Sequence, residues 1–330
     1  MQYLSIKKSD WDNHVDQLLL SFSVFAPVKN EYSLDYEEIS SENISNISYN
    51  IPKPATPLKN FFLPVKENVT SEGISGKKRV ILGSPGCDVA GLRLLDEIYL
   101  DREFNDIFYR SRRDNTIIIA SDCLRIQEHC HCTAYGIRPY PEDGADLSVM
   151  LIDDVVLLRV ISQKGIDFKN SFLPGLTPAD DSLVSEAENN HRKIESMLRD
   201  KWVDLPDYSK TGELVAGAKP GIWKKYSSRC VSCGACTVIC PTCSCFLLID
   251  KPGFEKIKQQ DACQYPGFER VAGGEDPLFR LSDRFRNRYM CKYVWKPQKF
   301  RASACTGCGR CTEACIGKID KNELFLELSK

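Results

Sequence analysis

Over residues 79–121, two continuous apolar runs are separated by a segment whose apolar residues recur at helical spacing. The apolar runs RVILG, residues 79–83, and NTIIIAS, residues 115–121, are typical of buried strands. Between them, VAGLRLLDEIYL, residues 89–100, carries its apolar side chains at helical spacing. The order of strand, helix and strand predicts a βαβ unit, in which the two strands should run parallel.

Polar breaks in the pattern predict the elements around this unit. LSVMLIDDVVLLRVIS, residues 147–162, favours a hairpin that turns at Asp153 and Asp154, or one strand followed by its neighbour. The charge-rich run at 185–203 predicts an exposed helix, and residues 205–228, with their Gly and Pro, predict a linker. Near the start of the chain, a loop punctuated by prolines at 52–57 separates two apolar runs.

Length and charge restrict the classes of protein that remain. A chain of 330 residues is long for one core, so we expect about two domains. Lys plus Arg number 44 and Asp plus Glu 45, a balance that argues against nucleic acid as a partner. No apolar stretch approaches the roughly 20 residues of a membrane span. The first residues lack the apolar segment of a signal peptide, so we expect a cytoplasmic protein.

The 16 cysteines make this ordinary composition unusual. Disulfides are rare where the cytosol keeps thiols reduced, so metal binding is the leading explanation. Four cysteines lie in 87–132 and twelve in 230–315, with none in 1–86 or 133–229. We therefore predict an α+β protein. A mixed α/β domain with the βαβ unit covers 1–180, a helix and linker cover 181–228, and a mainly α-helical dicluster ferredoxin domain covers 229–330.

The strongest chemical signal is a repeated cysteine motif. CVSCGACTVICP, from residue 230, has the spacing C-x2-C-x2-C-x3-C-P of bacterial ferredoxins, and CTGCGRCTEAC, from residue 305, repeats it. Because the fourth cysteine of each motif ligates the other cluster, we assign one [4Fe-4S] cluster to Cys230, Cys233, Cys236 and Cys315, and a second to Cys240, Cys305, Cys308 and Cys311. Two zinc sites are the alternative, although zinc sites usually separate two C-x2-C pairs by a longer loop. We expect Gly234 and Gly309 to let the backbone pass close to the inorganic sulfides.

A second group of cysteines follows the two strands of the βαβ unit. Cys87 and Cys123 each come just after a strand, and Cys130 and Cys132 follow in the same loop. The carboxyl ends of parallel strands share one edge of a sheet, where α/β proteins bind ligands. These four thiols therefore predict a third metal site, with [4Fe-4S] ahead of zinc. The alternative is that they are buried free thiols. We expect the flanking His129 and His131 to form hydrogen bonds rather than ligate the metal.

Four cysteines remain outside these groups, namely Cys243, Cys245, Cys263 and Cys291. Three interpretations are open. They could form a fourth metal site, a redox-active thiol pair, or a layer that packs beneath the clusters and tunes them through hydrogen bonds to sulfur.

The insert at 241–304 is longer than in compact ferredoxins and resembles the helical dicluster domain of succinate dehydrogenase and heterodisulfide reductase subunits. Over nearly the whole chain, the sequence resembles the beta subunit of cytosolic sulfhydrogenase and the related A subunit of anaerobic sulfite reductase. The resemblance is carried by FAPVKNEYSLDYEEI, GSPGCDVAGLRLLDEIYLD, CVSCGACTVICPTCSC, DRFRNRYMCKYVW and CTGCGRCTEAC. VAGGEDPLFR in place of a more polar pattern, and Ile316 in place of proline, depart from that family.

The resemblance implies an electron-transfer subunit. It would lie between a flavin-containing subunit that oxidises NAD(P)H and a catalytic subunit of hydrogenase or sulfite/sulfur reductase type. The residues themselves show no GxGxxG after a strand, no P-loop, no HExxH and no GxSxG, so we expect no catalysis by this chain alone. Two alternatives are that one of its own clusters reduces a sulfur compound directly, and that the chain is a zinc-stapled scaffold.

Residues 280–301 combine positive charge with aromatic side chains. The cations are Arg280, Arg284, Arg286, Arg288, Lys292, Lys296, Lys299 and Arg301, and the aromatics are Tyr289, Tyr293, Trp295 and Phe300. Arginine and aromatic residues are enriched at protein interfaces, so we expect this segment to dock a partner subunit. The alternative is a solvated helix with a packed aromatic stripe.

Overall fold

The structure is a computed structural model that describes residues 2–70, 76 and 78–330. Its strands are β1 (Tyr3–Lys7), β2 (Ser23–Lys29), β3 (Leu34–Glu38), β4 (Lys66–Asn68), β5 (Arg79–Ser84), β6 (Thr116–Ser121), β7 (Leu147–Ile152), β8 (Val155–Val160), β9 (Thr177–Pro178), β10 (Phe246–Lys251) and β11 (Glu255–Gln260). Its α-helices are α1 (Lys8–Leu18), α2 (Gly86–Tyr99), α3 (Ile107–Asp114), α4 (Gln163–Phe172), α5 (Asp181–Lys201), α6 (Tyr208–Gly217), α7 (Pro220–Ser227), α8 (Ala235–Val238), α9 (Leu281–Met290), α10 (Lys296–Phe300), α11 (Arg310–Glu313) and α12 (Lys321–Leu328).

Nine of the strands described here belong to the N-terminal part of the chain, and eight of them form one sheet in the order β3-β2-β5-β6-β7-β8-β1-β9. Strands β2, β5, β6 and β7 run parallel, and the outer pairs are antiparallel. The predicted βαβ unit is confirmed, since β5 and β6 pair in parallel around α2. Strands β7 and β8 form the predicted hairpin, with Asp153 at a positive φ of 49° in the turn.

The parallel strands are apolar throughout because both faces of the sheet are covered. On one face, Trp11 of α1 and Phe168 of α4 pack against Val80 and Ile119. On the other, Leu92 of α2 and Tyr109 of α3 pack against Ile81 and Ile118. The N-terminal core is therefore a helix–sheet–helix sandwich. Helices on both faces hold the parallel strands in place, and with them the carboxyl ends of these strands.

The segment that we expected as a linker, 205–228, instead forms α6 and α7. Pro220 does not break α7, since it occupies the first turn, where a helix tolerates proline. Val215 and Trp223 are almost completely buried against aromatic residues of α9 and α12. Burial of these few apolar side chains offsets the weak helical signal of the sequence.

The C-terminal part is mainly helical around short cysteine-bearing turns. Helix α9 continues through a π-helical segment, Cys291–Trp295, into α10, and this rod packs on α6 and α7. One hairpin, β10–β11, pairs with β4 from the N-terminal part, so the two expected domains share a three-stranded sheet. In the portion of the chain that the structure describes, no helix combines the length and apolarity of a membrane span.

Candidate metal centres

The first ferredoxin motif surrounds a cavity in the C-terminal part. Its wall contains Cys230, Cys233, Cys236 and Cys315, the four residues assigned to one cluster. Phe285 and Tyr289 from α9 close the apolar side of the cavity. Cys233 is exposed and the other three thiols are partly buried, so this site lies close to the protein surface.

The cysteines assigned to the second cluster lie deeper. Cys240 and Cys305 are buried, and Cys308 interacts electrostatically with both Cys240 and Cys311. Burial by itself would raise the pKa of Cys305, but the ammonium groups of Lys321 and Lys292 lower it. Cys311 also borders the cavity of the first motif, so the two sites are adjacent.

The glycines of the two motifs allow other segments of the same chain to approach the motif backbone closely. Gly234 and Gly309 precede α8 and α11 with φ of 72° and 79°, a left-handed conformation that glycine adopts without penalty. A Cβ on Gly309 would lie 2.3 Å from the carbonyl oxygen of His129, and one on Gly234 would lie 2.6 Å from the Tyr265 ring. These contacts require glycine at both positions.

Cys87, Cys123, Cys130 and Cys132 line a single small cavity. Cys87 lies in the first turn of α2, directly after β5, and Cys123 lies two residues beyond the end of β6. Because these strands are parallel neighbours, their ends bring the two thiols to one edge of the sheet. Burial raises the pKa of Cys132 to about 12 and that of Cys123 well above its ordinary value.

The tip of the second ferredoxin motif closes this cavity. Gly307 and Cys308 form part of its wall, and the Gly307 carbonyl accepts a hydrogen bond from the backbone N–H of His131 at 2.9 Å. A Cβ on Gly307 would lie 2.6 Å from Cys132 Cα, so only glycine permits this approach. The N-terminal site and the second ferredoxin site are therefore neighbours, although their cysteines are far apart in sequence.

Two ion pairs hold this junction together, one of them buried and the other partly exposed. Arg310 Nη2 lies 2.8 Å from Asp88 Oδ2, and both side chains are almost completely buried. Lys53 Nζ lies 2.7 Å from Glu313 Oε1 and 3.9 Å from Cys130 Sγ. Each pair joins the N-terminal part to α11, between ligands assigned to neighbouring sites.

His131 is held by hydrogen bonds on both ring nitrogens. Burial and the Lys321 ammonium lower the pKa of His131 well below its ordinary value, so the ring is neutral. Nδ1 then donates to the His129 carbonyl at 2.6 Å, and Nε2 accepts from Lys321 Nζ at 2.6 Å. Neither nitrogen is left for a metal. The ring instead connects the N-terminal cysteine loop to the lysine beside Cys305.

The remaining cysteines lie around the base of the β10–β11 hairpin and on the helical rod. Cys243 and Cys245 precede β10, Cys263 follows β11, and Cys291 begins the π-helical segment. The backbone N–H of Cys243 donates to the Cys240 carbonyl at 3.3 Å, and the Cys245 thiol interacts electrostatically with Cys263. This group therefore adjoins the second ferredoxin site.

We expected the basic segment to dock a partner subunit. For Arg284, Arg288 and Lys292 this expectation is wrong, because all three side chains are buried. Arg288 Nη2 donates to the Cys236 carbonyl at 3.1 Å, and Lys292 Nζ lies 3.1 Å from Cys240 Sγ. The signal in the sequence was the four-residue spacing of these cations, which puts them on one face of a helix. That face is turned inward, towards the cysteine motifs.

This inward charge predicts an effect on cluster potential. Lys292→Met is expected to make the potential of a cluster at Cys240 more negative, because the ammonium favours the extra negative charge of the reduced form. A unit charge about 5–8 Å away, at an effective dielectric constant near 20, contributes roughly 2–3 kcal/mol, or on the order of 100 mV. A redox titration followed by electron paramagnetic resonance measures this shift. Lys299→Met, on the exposed side of α10, is the control. Equal potentials in both variants would contradict the assignment of Cys240.

Comparison with known proteins gives two matches. A family model described as a 4Fe-4S dicluster domain matches residues 229–319, which contain both ferredoxin motifs. Sulfhydrogenase 2 subunit beta of Pyrococcus furiosus is 30% identical over 344 aligned positions, which cover 99% of this chain and 98% of that protein. The similarity therefore extends through the N-terminal part as well as the cysteine-rich end.

Proposed function

Since the chain belongs to the family of sulfhydrogenase beta subunits, we propose that it relays electrons between a flavin-containing subunit that oxidises NAD(P)H and a catalytic subunit. The catalytic subunit would be of hydrogenase or sulfite/sulfur reductase type. The C-terminal 4Fe-4S dicluster domain makes this an iron–sulfur electron-transfer subunit. We place the relay in the cytoplasm, where thiols stay reduced.

The observation that carries this proposal is the contiguity of the cysteine groups. Cys308 of the second ferredoxin site borders the cavity of the N-terminal four cysteines, and Cys311 borders the cavity of the first. Clusters held at all three sites would form a continuous row through the chain. Such a row is the arrangement that electron transfer between distant partners requires, because one-electron carriers then lie close to one another.

Under this proposal, Cys230, Cys233, Cys236 and Cys315 hold one [4Fe-4S] cluster, Cys240, Cys305, Cys308 and Cys311 a second, and Cys87, Cys123, Cys130 and Cys132 a third. When bound, the clusters supply reversible one-electron reduction. The protein excludes water with Phe285 and Tyr289, and compensates anionic cluster charge with Arg288, Lys292 and Lys321.

The spacing of the thiols supports clusters over zinc. In a tetrahedral zinc site with Zn–S bonds of about 2.3 Å, thiolates lie within about 4 Å of one another. Among the described residues, no three His, Cys, Asp or Glu side chains are grouped closely enough to hold a single metal ion. A cube attaches each thiolate to a different iron, so its cysteines are set further apart. The relay is preferred over the zinc-stapled scaffold because the cysteines have ferredoxin spacing and the 4Fe-4S dicluster model matches residues 229–319.

The test separates a relay from an enzyme. The full-length protein, prepared anaerobically with its clusters, is expected to lose part of its visible absorption on addition of dithionite and to recover it when the dithionite is removed and a one-electron oxidant of high potential, such as ferricenium, is added. With reduced methyl viologen as donor, it should not turn over sulfite or polysulfide, and NADH alone should leave the clusters oxidised. Sustained consumption of sulfite or polysulfide by the isolated chain would instead favour the alternative that its own cluster is catalytic.

A further inference from the structure

We propose that Cys243, Cys245, Cys263 and Cys291 hold a fourth [4Fe-4S] cluster, beside the two ferredoxin sites. Nothing in the dicluster motif requires these four cysteines, since the repeated motif supplies its own eight ligands. The argument rests on where the hairpin and the helical rod bring them, and on the charge that surrounds them.

The hairpin β10–β11 brings three of the cysteines together at its base. Phe246 pairs with Gln260 at the open end of the hairpin, and the backbone N–H of Asp261 donates to the Cys245 carbonyl at 3.0 Å. Cys245 and Cys263 are therefore neighbours, and the Cys245 thiol interacts electrostatically with Cys263. Cys243 precedes Cys245 by two residues and interacts electrostatically with the Cys245 thiol.

The helical rod supplies the fourth cysteine. Arg284 and Gln264 exchange two hydrogen bonds, of 3.2 and 2.8 Å, which fix the segment after Cys263 against α9. Further along the rod, Arg288 contacts the Cys236 carbonyl and Lys296 Nζ contacts the Thr242 carbonyl at 2.8 Å. Cys291 lies in the sequence between these two cations, on the part of the rod whose contacts reach the polypeptide that leads from Cys236 to Cys243.

The surrounding charge indicates an anion at this place. Lys59 is 1% exposed, and its ammonium donates to the carbonyls of Cys243 at 2.9 Å and Thr237 at 3.4 Å. Neither Lys59 nor Lys296 forms an ion pair with a carboxylate in the described part of the chain. A buried ammonium without a counterion costs several kcal/mol. A cluster with four thiolate ligands is anionic and would supply the missing countercharge.

The site would extend the proposed relay from the two ferredoxin sites towards the protein surface. The backbone N–H of Cys243 donates to the Cys240 carbonyl at 3.3 Å, and Cys263 Sγ lies 4.0 Å from Oγ1 of Thr237, which follows Cys236. The fourth cluster would therefore adjoin both ferredoxin sites. Cys243, Cys245 and Cys291 are partly exposed, so it lies near the surface, where a redox partner can approach it.

The experiment compares alanine variants within one loop of the full-length protein. After anaerobic reconstitution, Cys245→Ala and Cys263→Ala are expected to contain about four iron and four sulfide fewer per chain than the wild type, because each lacks a ligand of one cube. Ser244→Ala, which changes the residue between Cys243 and Cys245, should match the wild type. The test rests on the difference in iron content between the cysteine variants and Ser244→Ala, not on the total iron content. It is therefore independent of the number of clusters in the proposed relay.

Two results would overturn the proposal. One is an iron content in Cys245→Ala equal to that of Ser244→Ala. The other is a disulfide between Cys245 and Cys263 formed by mild oxidation without loss of iron, which would make these residues a redox-active thiol pair. Should Cys263→Ala fail to fold, Cys245→Ala retains the test, since its thiol is only partly buried. Either negative result would leave the three-site relay untouched.

Discussion

Alanine at Cys123 and alanine at Cys233 are each expected to remove about four iron atoms per chain, and the double variant about eight. The losses should add because the two cysteines line separate cavities, one at the edge of the N-terminal sheet and one in the first ferredoxin motif. Iron and sulfide analysis after anaerobic reconstitution measures them. Each loss should appear as a proportional decrease in visible absorption.

Neighbouring substitutions control for general damage to each loop. Thr133→Ala follows the last cysteine of the N-terminal group, and Val231→Ala changes an exposed residue between two ferredoxin cysteines. Both should retain the full iron content. If Cys233→Ala lost iron while Cys123→Ala matched Thr133→Ala, the N-terminal cysteines would be free thiols, and the relay would consist of the ferredoxin clusters alone.

Local pattern was sufficient to predict the central elements of the N-terminal fold. Strands β5 and β6 are apolar runs bounded by polar residues, and α2 has clear helical spacing. The parallel pairing then follows from the handedness and length of the connection. That pairing also places Cys87 and Cys123 at a common edge of the sheet, which the sequence alone predicts.

Burial of charge was not predictable, because it depends on distant parts of the chain. The cations of α9 and its π-helical extension are typical of an exposed, partner-binding helix when the sequence is considered alone. They are buried because the cysteine loops and the Lys59 region fold over them, and a local pattern carries no information about that cover. The helices in 205–228 were missed for a related reason, since the aromatic residues that stabilise them lie on α9 and α12.

The contact between the N-terminal cavity and the second ferredoxin motif was equally hidden. It depends on Gly307 approaching Cys132 and on Asp88 meeting Arg310, a pair separated by 222 positions. Sequence spacing assigned these residues to different sites and different domains. The junction brings the two sites together, so in the proposed relay its stability would determine whether electrons have an uninterrupted path.

Asp88→Asn is therefore expected to be among the most destabilising single changes outside the cysteines. It leaves the Arg310 guanidinium buried without its carboxylate, which typically costs 3–5 kcal/mol. For a chain of this size, the thermal midpoint should fall by roughly 5–10 °C. Anaerobic thermal scans of the cluster-loaded protein at one fixed scan rate measure the difference.

The double variant separates the loss of an ion pair from a simple loss of packing. Asp88→Asn with Arg310→Met removes both charges, so it should regain part of the stability lost in Asp88→Asn, because no unpaired charge is left buried. The matched control is Asp143→Asn, which breaks an Arg93–Asp143 pair of 3.0 Å whose side chains are 62% and 64% exposed. An exposed pair contributes at most about 1 kcal/mol, so this variant should unfold close to the wild-type midpoint. A double variant less stable than Asp88→Asn would show that Arg310 acts through its hydrogen bonds to the Pro54 carbonyl rather than through its charge.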